Sequence, residues 1–226
     1  MSKDIRVIAE IAGGHMGKLD RCIQLVRAAG EAGADIVKFQ FYNAVELVAP
    51  THPDFNLFLE LQFAPAQWTE IFAVARSFKM QVYADVFGRL SFQEANLHGV
   101  DGFKLHSADT DNQSLLRLIA ETGKPLLLGV GGHKRIEIYE TLKYYRSFAP
   151  MGDVTLMPGH QLFPTSLAEH SLAEIRWLAD AYREFGVTVG CADHVDGDDP
   201  AAQLFPIAAI GAGAVIIEKH LTINRT

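Results

Sequence analysis

Four polar residues stand at the ends of short apolar runs, where a soluble fold would not place them without a partner or a task. Glu10 sits in VIAEIAGGH, Lys38 and Gln40 in DIVKFQ, and Lys104 in GFKLHSAD. A two-residue spacing puts Lys38 and Gln40 on one face of a strand and Phe39 on the other. Two ammonium groups aimed at a common point repel each other unless an anion or carboxylates lie between them. The pattern therefore points to an anionic ligand, with salt bridges from the lysines to Glu10, Asp85 or Glu218 as the structural alternative. His194 in CADHVDG and His220 in IEKHL close two further apolar runs. Imidazoles on adjoining strands, about 4.8 Å apart, suit one divalent cation with water or substrate in the open positions. So sparse a donor set favours exchangeable Mn2+ or Mg2+ over a structural Zn2+.

The elements that must carry these residues are read from periodicity. Short apolar, β-branched runs alternate with amphipathic stretches along the whole chain, the pattern of parallel strands joined by crossover helices. Eight strands are expected: 5–10, 36–40, 81–86, 102–106, 125–129, 154–158, 187–192 and 214–219. Seven helices are expected between them: 21–32, 67–78, 91–97, 114–121, 136–146, 172–185 and 201–210. Gly33, Gly99, Gly123, Gly186 and Gly211 read as helix stops. The reading is a single (β/α)8 TIM barrel domain over residues 1–226, with its eighth helix missing from this chain. In that fold, functional groups collect at the C-terminal ends of the strands. An irregular stretch from Tyr42 to Pro65, with Pro50, Pro53 and Pro65, reads as a substrate-covering loop. Other histidines of the βα loops, His15, His106, His133 and His160, read as polar loop residues, His106 and His160 being the better pocket linings. GVGGH at 129–133 offers backbone N–H groups to an anion or simply makes a tight turn.

Composition narrows the function classes. The 226 residues are 49% hydrophobic and 21% charged, ordinary for a globular domain. With 20 Lys and Arg against 27 Asp and Glu, the net charge is −7, and no basic patch offers itself to nucleic acid. No apolar run reaches the roughly 20 residues that cross a bilayer, and the first residues do not make a signal peptide. The expectation is a soluble, cytoplasmic protein in which Cys22 and Cys191 are free thiols. The strand left uncovered by the missing helix makes a homo-oligomer the expected assembly.

At the level of motifs, VIAEIAGGHMG, AGADIVKFQ, FKLHSAD, ETGKPLLLGVGG, VGCADHVDG and GAGAVIIEKHLTINR follow one another as in a known family. Over nearly its full length the chain resembles the sialic acid (N-acetylneuraminate) synthase family. The resemblance implies a synthase barrel that condenses phosphoenolpyruvate with an N-acetylated hexosamine or a related aldose in nonulosonic acid biosynthesis. It implies a metal on His194 and His220, Glu10 near the reacting centre, and Lys38, Gln40, Lys104 and Ser107 around phosphoenolpyruvate. Asp85, Asp109, Gln161, Phe163 and Glu218 are further candidate substrate-binding positions. The family's C-terminal antifreeze-like domain, which completes the sugar site across a dimer, is absent from this chain.

The chain also departs from the family pattern. Gly129-Val130-Gly131-Gly132 replaces Ser-Thr-Gly-Met, Ala192 replaces a serine, Ala84-Asp85-Val86 replaces Thr-Pro-Phe, and Gln161 and Phe163 replace Asn and Tyr. These changes remove hydroxyl donors and add a carboxylate. Two other readings therefore stand beside the synthase: a metal-dependent barrel enzyme that does not use phosphoenolpyruvate, and a non-catalytic carbohydrate-binding or scaffold barrel.

Overall fold

The computed structural model describes residues 5–160 and 162–223. The chain divides into two compact units, Ile8–Lys104 with His220–Thr226, and Met1–Val7 with Leu105–Lys219. Strand and helix alternate through both in the α/β pattern of a TIM barrel, and all seven expected crossover helices are present.

The first unit holds most of β1 (Arg6–Glu10), then α1 (Leu19–Glu31), β2 (Ile36–Phe41), α2 (Ala44–Leu47), α3 (Phe55–Leu61), α4 (Pro65–Ser77), β3 (Gln81–Val86), α5 (Arg89–Leu97) and most of β4 (Gly102–Leu105). β1, β2 and β3 are parallel neighbours, with Glu10 opposite Lys38 and Gln40 opposite Asp85. The strand period sorts β2 into two faces. Phe39 and Phe41 turn to α4, where Trp68 stacks on Phe41 at 4.1 Å and meets Phe39 edge-on at 5.5 Å. Phe63 closes the same cluster, its ring edge-on to Trp68 at 5.2 Å. Burying these rings fixes the rotation of β2 and so holds Lys38 and Gln40 on its opposite face.

The stretch 42–65 is not irregular throughout, because α2 and α3 form within it. Helix α2 is tied down by Glu46, whose carboxylate accepts from the Leu90 and Ser91 amides at the start of α5. That is charge complementarity at a helix N-terminus, and proline counting does not reveal it.

The second unit holds α6 (Gln113–Glu121), β5 (Leu126–Gly129), α7 (Arg135–Phe148), β6 (Val154–Met157), α8 (Leu172–Ala181), β7 (Thr188–Val189), β8 (Cys191–Asp193), α9 (Phe205–Ala212) and most of β9 (Ile216–His220). The expected seventh strand is two strands. β7 runs beside β6 and β8 beside β9, and the chain changes neighbours at Gly190. A Cβ there would lie 2.5 Å from Met157 Sδ and 3.0 Å from the Ile216 carbonyl, so a side chain would have to displace the methionine and press on that backbone.

A second correction concerns the last helix stop. Gly211 lies inside α9, and Gly213, at φ 114°, is the left-handed cap. Lys79 takes the left-handed position after α4 without being a glycine. Both cysteines are free and buried, their thiols pushed up to about 12 by burial. Among the described residues no helix is long and apolar enough to cross a membrane.

Candidate active site

The C-terminal ends of β1, β2 and β3 bring four of the expected residues together. Glu10 and Lys38, opposite each other in register, form a buried ion pair. Asp85 reaches the same ammonium from β3, its Oδ2 3.5 Å from Nζ. Lys38 thus has the carboxylate partners that the sequence leaves open as the alternative to an anionic ligand. Glu10 is held at its other oxygen, Oε1, by the Ala12 amide at 2.7 Å. Gln40 accepts a hydrogen bond from the Tyr42 hydroxyl. Burial, then the charges of Glu10 and Asp85, push that hydroxyl well above its ordinary range against the opposing effect of Lys38, so it remains a donor.

Tyr42 is the residue that sequence reading missed here. Its ring lies between Phe87 at 6.0 Å and Phe58 of α3 at 5.7 Å, linking the covering stretch to the strand ends. Nearby, His15 is fully buried against Phe63 at 4.6 Å, accepts from the Gly17 amide at Nδ1, and is pushed down to about 4 by burial. It is a neutral core histidine and not the polar loop residue expected. Lys104 is buried near the end of β4, and His220 ends β9 exposed.

Most of the other expected positions lie in the second unit. Ser107 begins a one-turn 3-10 helix after β4, buried, with no hydrogen-bond partner for its Oγ among the described residues. Asp109, in the same turn, receives the Asn112 side chain at 3.4 Å, a local contact. At Gly129 an added Cβ would lie 2.7 Å from the Ser107 amide nitrogen, so a side chain there would press on the turn. The Thr110 hydroxyl bonds the Gly129 carbonyl in the same close approach. His106 spends its Nδ1 on the Ala108 amide, capping the turn.

On the β8 side, the His194 Nδ1 lies 2.6 Å from the His160 carbonyl, and Phe163 meets the His194 ring edge-on at 5.7 Å. Phe163 itself is 65% exposed. Glu218 is buried on β9 opposite Ala192. The register of β8 on β9 ends at Asp193 and Lys219, the residues immediately before the two histidines, and their side chains pair at 2.6 Å. Gln161 lies outside the described residues.

His194 meets one requirement of a metal ligand. A carbonyl accepts only, so Nδ1 carries the proton and Nε2 the lone pair, the tautomer that coordinating imidazoles use. Among the described residues no three His, Cys, Asp or Glu side chains are grouped as a metal site.

The NeuB family model matches residues 25–226. The chain belongs to the NeuB family. This NeuB-family chain is 28% identical over 97% of its length to an uncharacterized protein of Methanocaldococcus jannaschii, spanning 62% of that protein. It is 28% identical over 97% of its length to the N,N'-diacetyllegionaminic acid synthase of Legionella pneumophila, spanning 64% of it. It is 24% identical over 99% of its length to a pseudaminic acid synthase of Campylobacter jejuni, spanning 67% of it. Among solved structures, the sialic acid synthetase of Leptospira borgpetersenii in complex with citrate matches with a TM-score of 0.87 at 25% identity, over 98% of this chain and 74% of that one. A truncated 3-deoxy-D-arabino-heptulosonate 7-phosphate synthase of Thermotoga maritima shares the fold, with a TM-score of 0.71 at 14% identity, over 98% of this chain and 76% of that one.

Proposed function

We propose that this NeuB-family chain forms a carbon–carbon bond between phosphoenolpyruvate and an N-acetylated hexosamine or related aldose, a transferase step in nonulosonic acid biosynthesis. The observation that carries the reading is the buried Glu10–Lys38 pair with Gln40 beside it at the strand ends, in a chain whose named relatives are sialic, pseudaminic and legionaminic acid synthases.

In the reaction, C3 of the enol joins the aldehyde carbon, whose oxygen takes a proton. Water then adds at C2 and inorganic phosphate leaves. Glu10 suits work on that water, since the Ala12 amide fixes one carboxylate oxygen and Lys38 the other, leaving little freedom to lose on binding. Lys104 and the Ser107 hydroxyl are the donors proposed for the anionic groups of phosphoenolpyruvate. Asp109, Gln161, Phe163 and Glu218 are proposed on the sugar side. His194 and His220 would hold a Mn2+ or Mg2+ ion, which supplies Lewis-acid stabilisation of a developing oxyanion. The protein is proposed to act in the cytoplasm as a homo-oligomer.

One observation favours a second reading. Lys38 already faces two carboxylates, Glu10 and Asp85, so its charge is not a ready handle for phosphate. A metal-assisted aldolase, isomerase or hydrolase that takes no phosphoenolpyruvate accommodates that arrangement. Purified protein incubated with Mn2+, phosphoenolpyruvate and a panel of aldoses separates the two. The synthase releases one phosphate for each 2-keto acid seen by NMR, and silence across the panel sinks it.

A further inference from the structure

We propose that Asp85 and Gln40 together read one hydroxyl group of the organic substrate, which makes Asp85 a specificity-determining residue for a hydroxylated carbon chain. Asp85 is 1% exposed at the end of β3. Its Oδ2 is engaged by Lys38, whereas its Oδ1 is buried and accepts no hydrogen bond among the described residues. A buried carboxylate oxygen without a donor is costly, so the site is built to receive one.

The identity of that donor follows from the residue opposite. Register sets Gln40 across from Asp85 on the parallel ladder, with both side chains on the same face. The Gln40 Oε1 takes the Tyr42 hydroxyl, so the amide has its Nε2 hydrogens left to offer. One side chain therefore presents an acceptor and its neighbour a donor. A hydroxyl matches both at once, giving its hydrogen to Asp85 and taking one from Gln40. Phosphate and carboxylate oxygens only accept and would meet Asp85 as like charge. An ammonium only donates and leaves Gln40 unanswered. The ends of β2 and β3 thus belong to a polyhydroxylated substrate, and this rests on the synthase reading where it identifies that substrate as the aldose.

The test is isothermal titration of the intact chain, with Mn2+ present, against a panel of aldohexoses and N-acetylated hexosamines and, separately, phosphoenolpyruvate. Asp85→Ala leaves Glu10 on Lys38, and thermal unfolding checks that the fold is kept. Asp85→Asn, of the same shape, is the second variant. Sugar affinity is expected to fall about 10- to 100-fold in both, with less than a twofold change for phosphoenolpyruvate. The proposal is overturned if sugar affinity is unchanged, if both ligands weaken by the same factor, or if no sugar binds the unmodified chain. Phosphate release, followed in parallel, keeps the two ideas apart. Asp85-dependent sugar binding without it sinks the synthase and leaves this assignment standing, whereas release indifferent to Asp85 does the reverse.

Discussion

The ends of β1, β2 and β3 and those of β5 and β6 handle polarity in opposite ways. In residues 8–104 the ends of β1, β2 and β3 carry buried charges, held because parallel register sets Glu10 beside Lys38 and brings Asp85 to the same ammonium. In residues 105–219, β8 and β9 also carry buried carboxylates, Glu218 and the Asp193 that pairs with Lys219, but at the ends of β5 and β6 backbone comes close instead. Gly129 presses on the Ser107 amide, and a Cβ on Gly159 would lie 2.7 Å from the Ala192 carbonyl. The difference teaches that a buried charged side chain is held where the neighbouring strand supplies its partner, while glycine stands where the neighbouring backbone takes up the space of a side chain.

Removing a charge from the first set should be the most damaging change. Lys38→Met leaves Glu10 and Asp85 buried without their shared cation and is expected to cost about 3–5 kcal/mol in urea denaturation. A loss under about 1 kcal/mol would mean that the charges are not what organises those strand ends. Next comes acid sensitivity, which should also sit in the first unit. The unfolded His15 imidazole takes its proton near 6.5, whereas the folded one resists until about 4. The unfolded state therefore binds more protons across that window. Stability should fall as pH drops from 6.5 to about 4, by about 3 kcal/mol in all, and then level off. His15→Phe should flatten that slope, and an unaltered slope assigns it elsewhere.

Reinstating a side chain in the second unit should cost less but still be adverse. Gly129→Ser forces the Ser107 turn to shift and is expected to lose about 1–3 kcal/mol. A neutral or stabilising result would show that the close approach is not what excludes a hydroxyl. The smallest effect belongs to Tyr42→Phe, which deletes one hydrogen bond to Gln40 and should cost about 1 kcal/mol in thermal unfolding. No measurable change would place Gln40 under other control.

Much of the fold is legible in the sequence, because β2 and α4 obey their periods and the apolar faces have one place to go. Gln81–Val86 is read to the residue, since alternation and flanking turn signals agree there. The split at Gly190 is not legible, because it depends on Met157 and Ile216 in other strands and not on anything in VTVGCAD. Gly211 misleads for a related reason, as a helix may run through a glycine when a second one two residues later suits the left-handed turn better. At the candidate site, residue type and strand position single out Glu10, Lys38 and Gln40, and Asp85 stands out as a possible partner of the lysines and as a departure from the family pattern; their cross-strand neighbours appear in the register. Tyr42 and His15 gave no signal of their own, since an aromatic beside a loop and a histidine after two glycines look alike whether exposed or packed. Their roles come from Phe63, Phe87 and Phe58, which lie far along the chain.

The ring cluster beneath β2 has one practical consequence. The chain has two tryptophans, and they fall one in each unit: Trp68, buried against Phe41, and Trp177, half-buried with the Arg135 guanidinium 4.2 Å from its ring. Single Trp→Phe replacements therefore give every unit a private emission band, and comparing the two melting curves would reveal whether the halves let go at one temperature or in succession.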